Sequence, residues 1–152
     1  MRRPRRSLAL SSRRRRLLLE SLVLLCACRL VLALGSVRTT RRVIDPLVSA
    51  LGRLHSDSTA TPADLTWAVE TGDTLLPGTG TCLHAAIVGD ALLETYGYDA
   101  TLRIGVAKDD DGALEAHAWL ERDDQVVVGD LSGLSRFQPL PLDTVDRLTD
   151  SR

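Results

Sequence analysis

Three residues in the second half of the chain have side chains that together suit acyl chemistry. In chain order they are Cys82, His117 and Asp130. A cysteine thiolate can attack a carbonyl carbon, an imidazole can take up and return the proton, and a carboxylate can orient the imidazole. The sequence therefore predicts a nucleophile, a general base and an orienting acid, provided that the fold brings the three together.

The residues around Cys82 predict that this cysteine lies in the first turn of a helix. Thr81 is a favoured N-cap residue, Gly97 is a favoured residue just past a helix end, and apolar residues recur between them at helical spacing. The unpaired N–H groups at a helix start favour a thiolate and can hold an oxyanion. Gly78 and Gly80 leave room for a substrate backbone on the loop side.

His117 lies in a segment that alternates like a strand. In residues 115–122, His117 shares one predicted face with Trp119 and Glu121, and the alternate residues face the other way. A strand at 101–107 precedes this segment, and a strand at 125–130 follows it and ends on Asp130. Short acidic turns separate the three strands, which predicts an antiparallel meander after the cysteine helix.

Other residues compete for the same roles. His84 is two positions after Cys82, about 200° around the helix axis, so it points away from the thiol. Asp123 and Asp124 are alternatives to Asp130 as the acid. The three histidines are too scattered for a metal site, and no cofactor motif occurs. A helix-start cysteine and a strand histidine are often structural, so a non-catalytic binding or scaffold module remains an alternative.

The apolar segment 13–35 admits four interpretations. It is long enough to span a membrane, but Glu20 and Arg29 interrupt it, and an arginine near the centre costs at least ~2.5 kcal/mol. It also resembles a signal peptide, with a possible cleavage site at 33–36, or a lipoprotein signal at 25–28. We favour a helix that the rest of the domain covers, with Glu20 and Arg29 finding partners at its edges.

Charge divides the chain into two different parts. Residues 1–53 hold thirteen arginines and two acids, whereas residues 54–152 hold six basic and eighteen acidic residues. The basic part predicts a contact with a partner or with anionic lipid. Nucleic acid is the weakest choice, because aromatic residues and a known binding module are missing there. Three cysteines without a disulfide pattern favour the cytoplasm, with Cys26 and Cys28 as packing residues on opposite sides of a helix.

These observations predict an α+β protein in which N-terminal helices precede a helix that carries the nucleophile and packs on a small antiparallel sheet. The predicted parts are a disordered basic tail at 1–12, a helical part at 13–60 and a catalytic core at 61–152, with one compact domain from about residue 13.

Residues 81–140 resemble the lasso-peptide leader peptidases, the transglutaminase-like McjB C-terminal family. The resemblance rests on a C-L helix start, L-x-I-G-V, A-H-A-W-L-E and a closing S-R-F-x-P-L. It implies a transglutaminase-like or papain-like fold with Cys82 as nucleophile, His117 as base and acid, and Asp130 as orienting carboxylate. It also implies a precursor peptide as substrate, a separate leader-recognition protein and an ATP-dependent lasso cyclase as partners, and no cofactor or metal. Acyl transfer to an amine remains an alternative outcome.

Overall fold

The computed structural model describes residues 11–35, 37–53, 60–78 and 82–141. Over these residues the chain forms four helices followed by a four-stranded sheet, so the predicted α+β class is confirmed. The helices are α1 (Ser12–Leu34), α2 (Val37–Arg53), α3 (Pro62–Leu75) and α4 (Cys82–Thr95), and the strands are β1 (Thr101–Lys108), β2 (Leu114–Arg122), β3 (Gln125–Val128) and β4 (Gln138–Leu140).

One face of helix α1 lies in the core, and the opposite face is exposed. Its N-cap is Ser11, whose hydroxyl accepts a hydrogen bond from the backbone N–H of Arg14. The predicted disordered tail at 1–12 is therefore wrong for its last two residues, and residues 1–10 lie outside the described part. Leu24, Leu25 and Cys28 enter the core, as the covered-helix interpretation predicts, but the opposite face of α1 is exposed. By length and composition alone, α1 could also span a membrane.

The two charged residues inside α1 have different environments. Arg29 donates a hydrogen bond from Nη1 to the carbonyl oxygen of Pro77 at 2.7 Å, and its Nη2 lies 3.4 Å from Asp73 Oδ1. The prediction that Arg29 finds partners at an edge is therefore confirmed. Glu20 is buried, with 8% of its surface exposed, so it lies in the core and not at an edge.

Helices α2 and α3 are longer than the sequence predicts. The sequence pattern predicts a short helix around residues 43–54, another from 62 to 70 and a loop at 72–80. In the structure α2 begins at Val37, and α3 continues to Leu75 through part of the predicted loop. Gly72 explains the difference in α3. An added Cβ there would lie 3.1 Å from a methyl group of Leu25, so the glycine lets α3 pack closely on α1. Packing outweighs the low helix propensity of glycine at this position.

Helix α4 is the central helix of the main core. Nine consecutive residues, from Ala85 to Leu93, are buried. The helix ends in a Schellman motif: Gly97 has φ 81°, its N–H donates to the carbonyl of Glu94, and the N–H of Tyr98 donates to the carbonyl of Leu93. The predicted stop at Gly97 is confirmed, whereas the predicted N-cap, Thr81, lies outside the described residues.

The sheet has the order β3-β2-β1-β4, with all neighbours antiparallel. The meander of β1, β2 and β3 matches the prediction, but β3 ends at Val128, two residues before Asp130. Strand β4, which pairs with β1, was not predicted. Pro139 is compatible with β4 because this strand lies at the sheet edge.

The connection between helix and sheet sets how α4 lies on the strand that carries His117. Helix α4 ends close to the start of β1, and Thr101 at that start pairs with Glu121 near the end of β2. Helix α4 packs on β2 through the sheet face that carries Ala118 and Leu120. His117 lies on the opposite face of β2, with Trp119 and against Phe137.

Candidate active site

Cys82 is the first residue of α4 and is half-buried. Its side chain packs against the edge of the main core, and the backbone N–H groups of the first helical turn lack partners within the helix. These amides and the positive end of the helix dipole favour negative charge at this position. The location predicted for the nucleophile is thus confirmed, while its role stays a prediction.

Arg29 fixes the near end of the loop that precedes Cys82. Its hydrogen bond to Pro77 and its ion pair with Asp73 join α1 to the end of α3 and to the first loop residues. Gly78, next in the chain, has φ 128°, a backbone conformation that favours glycine. The guanidinium also lies 3.5 Å from the position of a Cβ at Gly78, which is ordinary van der Waals contact, so the positive φ is what favours glycine there.

His117 on β2 is oriented by a backbone carbonyl. Its Nε2 lies 2.7 Å from the carbonyl oxygen of Gly129. A carbonyl oxygen only accepts hydrogen bonds, so Nε2 carries the proton and donates it. The remaining ring nitrogen, Nδ1, is then the one that can take a proton from a thiol. The orienting group expected in a cysteine enzyme is present, but the backbone supplies it.

Two aromatic rings flank the imidazole. Trp119 is nearly parallel to it, with 6.1 Å between ring centroids, and the tilted ring of Phe137 lies at 5.5 Å. Trp119 and Phe137 are buried, and the indole N–H of Trp119 donates to Glu121 at 2.8 Å. That hydrogen bond holds the pKa of the Glu121 carboxyl below its usual range. The aromatic rings limit the orientations open to the imidazole.

Gly129 is held from both sides. Its carbonyl accepts from His117, and its N–H donates to the carboxylate of Glu70 on α3. Partial burial raises the pKa of Glu70, and the negative charge of Asp130 raises it further. The hydrogen bond from the Gly129 N–H acts in the opposite direction and lowers this pKa. Glu70 as a whole residue is exposed. Two carboxylates, those of Glu70 and Asp130, therefore lie beside the residue that orients the imidazole.

Within the described residues, no hydrogen bond joins the three predicted site residues to one another. Asp130 is exposed and follows the residue that contacts His117, but within the described residues no hydrogen bond joins its carboxylate to the imidazole. Nor does one join the Cys82 thiol to His117. Asp123 and Asp124 form the β2–β3 turn, with positive φ angles of 50° and 58°.

The roles of Gly129 and Glu70 are not evident from the sequence. The acceptor on His117 is a main-chain carbonyl, which every residue type has, so side-chain identity gives no signal for it. The available signal was the glycine before Asp130, since an isolated glycine at a strand end often marks a close backbone approach. Glu70 could be found only from the packing of α3 against the turn after β3.

Substitution of Gly129 by alanine should destabilise the protein through a steric clash at this site. An added Cβ would lie 2.8 Å from the carbonyl oxygen of Ala118 and 3.2 Å from Cα of Trp119. Gly112 is a matched control, because it has the same φ of 81° with nothing within 4 Å. We expect Gly129→Ala to lower the free energy of unfolding by about 1–3 kcal/mol more than Gly112→Ala, measured by urea denaturation. Equal losses would show that the backbone at Gly129 is not confined.

Comparison with protein families agrees with this architecture. The model described as Transglutaminase-like superfamily matches residues 22–141. The match extends from the middle of α1 to the end of β4, so the chain belongs to the transglutaminase-like superfamily. Comparisons with curated proteins and with solved structures found no significant match in either case.

Proposed function

We propose that this protein is a cysteine peptidase that removes the leader peptide from a ribosomally made lasso-peptide precursor. The observation that carries the proposal is the hydrogen bond from His117 Nε2 to the carbonyl oxygen of Gly129. It leaves Nδ1 as the proton-accepting nitrogen. Membership of the transglutaminase-like superfamily is compatible with cysteine hydrolysis, and the resemblance of residues 81–140 supplies the substrate class.

The proposed reaction uses only residues of this chain and water. The Cys82 thiolate attacks the scissile carbonyl, and N–H groups of the first turn of α4 hold the oxyanion. His117 protonates the leaving amine as the C–N bond breaks, which leaves a thioester on Cys82. Water, deprotonated by His117, then attacks the thioester, releases the leader as a carboxylic acid and restores the thiol.

The proposed partners follow from the chemistry of the product. Leader removal frees an amine on the core peptide, and an ATP-dependent lasso cyclase would use that amine to close the ring. A separate leader-recognition protein would present the precursor. We place the reaction in the cytoplasm, where free cysteines such as Cys82 stay reduced.

Mass analysis of the products tests the proposed reaction. The protein should be incubated with a lasso-peptide precursor that carries its leader and with a separate leader-recognition protein, with and without an added primary amine. We expect a leader fragment that ends in a carboxylic acid in both cases. A fragment that carries the added amine would identify an acyl transferase instead, and an intact precursor would contradict the peptidase proposal.

Substitution of Asp130 tests which group completes the site. We expect Asp130→Asn to lower the cleavage rate about 10-fold, because it removes a negative charge from the residue next to Gly129 but leaves the Gly129 carbonyl in place. The control is Asp124→Asn, at a left-handed turn position that asparagine tolerates, and it should leave the rate unchanged. A loss from Asp130→Asn as large as that from replacing His117 would show that Asp130 itself orients the imidazole during catalysis.

A further inference from the structure

The exposed face of α1 is an apolar stripe that the fold leaves uncovered. Leu19, Val23, Leu30 and Leu34 are 58%, 58%, 65% and 82% exposed, and Cys26 between them is exposed as well. Successive members are three or four residues apart, so they form one line about 22 Å long along the helix. A continuous apolar surface of this kind marks an interaction site more often than scattered exposed leucines do.

The opposite face of α1 restricts how this stripe can be used. Leu24, Leu25 and Cys28 are buried against the other helices, and Arg29 is bound to the end of α3. Moving α1 into a bilayer as a spanning helix would remove these residues from the core. While the domain is folded, α1 can therefore bury only its outer face, as a helix that lies along a surface.

Charge indicates what that surface is. Arg15 is exposed at the start of α1, and Arg38 and Arg42 are exposed at the start of α2, so basic residues flank the stripe in sequence at both ends. Arg14 instead pairs with Asp64 on α3. The only acid in α1 is Glu20, which is buried. Across the whole chain, residues 1–53 carry a large positive charge and residues 54–152 a large negative one. An anionic surface would attract the first part and repel the second, which orients α1 toward it.

We propose that the stripe defined by Leu19, Val23, Cys26, Leu30 and Leu34 docks the protein reversibly on an anionic membrane. Insertion of the leucines and attraction of the arginines provide the two contributions that stable peripheral binding requires. Arg29, on the same helix, holds the loop before Cys82. The membrane contact would then lie about one helix diameter, about 10 Å, from the loop that leads to the proposed nucleophile.

A fluorescent label on Cys26 tests membrane docking directly. In the full-length Cys82→Ala variant, Cys26 is the exposed thiol and Cys28 is buried, so an environment-sensitive maleimide dye should label Cys26. We expect its emission to shift to shorter wavelength with phosphatidylcholine vesicles that contain about one-third phosphatidylserine, and binding to be at least about 10-fold weaker to phosphatidylcholine alone. Equal binding to both vesicles, or no binding to either, would overturn the proposal.

Two leucine substitutions separate docking from nonspecific adhesion, and vesicle co-sedimentation of the unlabelled protein measures both. Leu30→Glu should weaken binding to the anionic vesicles about 10-fold or more, since it places a carboxylate in the stripe. Leu114→Glu is the control, because Leu114 is 75% exposed but lies at the start of β2. Equal effects of the two substitutions would contradict a defined docking face. The proposal would also be contradicted if the protein did not bind vesicles but formed a concentration-dependent dimer that Leu30→Glu abolishes. In that case a second copy of the chain would cover the stripe.

Discussion

Replacement of Cys82 by alanine is expected to reduce leader removal by at least roughly 10³-fold while the fold is retained. Without the thiol no thioester forms. Cleavage would then require direct attack of water on the peptide bond, which is a poor substitute in a site that positions a sulfur nucleophile. The residue is half-buried at the start of a helix, so the smaller alanine side chain should fit there. Product mass spectrometry under single-turnover conditions measures the loss, and circular dichroism checks the fold.

The other two cysteines provide controls for this substitution. Cys26→Ala should cleave at the normal rate, since Cys26 is exposed on the outer face of α1. Cys28 is fully buried, and burial raises the pKa of its thiol to about 12, so it is inert as a nucleophile at neutral pH. A Cys82→Ala protein that still removes the leader would exclude Cys82 as the nucleophile.

Replacement of His117 by glutamine is expected to lower the cleavage rate by about 10²–10⁴-fold. The glutamine amide can still donate a hydrogen bond to Gly129, but it cannot take up a proton from Cys82 or deliver one to the leaving amine. The residual rate should rise steadily with pH, because hydroxide then has to deprotonate the thiol. Single-turnover rates across the pH range measure both effects.

His84→Gln is the matched control for His117. His84 is the histidine nearest to Cys82 in sequence, but it follows two positions later on the same helix and is half-buried beside the core. The rate should be little changed by this substitution. If the cleavage rate fell strongly in His84→Gln and only slightly in His117→Gln, His84 and not His117 would be the general base.

Local sequence signals were sufficient for much of the catalytic half. Gly97 marks the end of α4 because its left-handed conformation closes a Schellman motif, which depends on a few adjacent residues only. The alternation in β2 predicts that His117 and Trp119 share a face, and their stacked rings agree with this. The turn at Asp123 and Asp124 is likewise local, because the tight connection needs two residues with positive φ.

Features that depend on contacts distant in sequence were missed. The last turn of α3 exists because Gly72 packs against Leu25, more than forty residues away. Strand β4 contains only three residues, one of them Pro139, and it forms because β1 offers a free edge. The hydrogen-bond acceptor of His117 is the backbone carbonyl of Gly129, which only the folded chain brings to the imidazole. Sequence therefore predicted the elements that carry Cys82 and His117 but not the geometry that orients the imidazole.

The central claim is that His117 activates Cys82, and cysteine alkylation within one molecule tests it most directly. Wild-type protein and His117→Gln should be treated with iodoacetamide near pH 6 and the modified peptides quantified over time, with exposed Cys26 as the internal reference. In the wild type we predict that Cys82 reacts at least about 10-fold faster than Cys26, and that His117→Gln removes this advantage. Equal rates for Cys82 and Cys26 in the wild type, or a Cys82 advantage that persists in His117→Gln, would contradict the account.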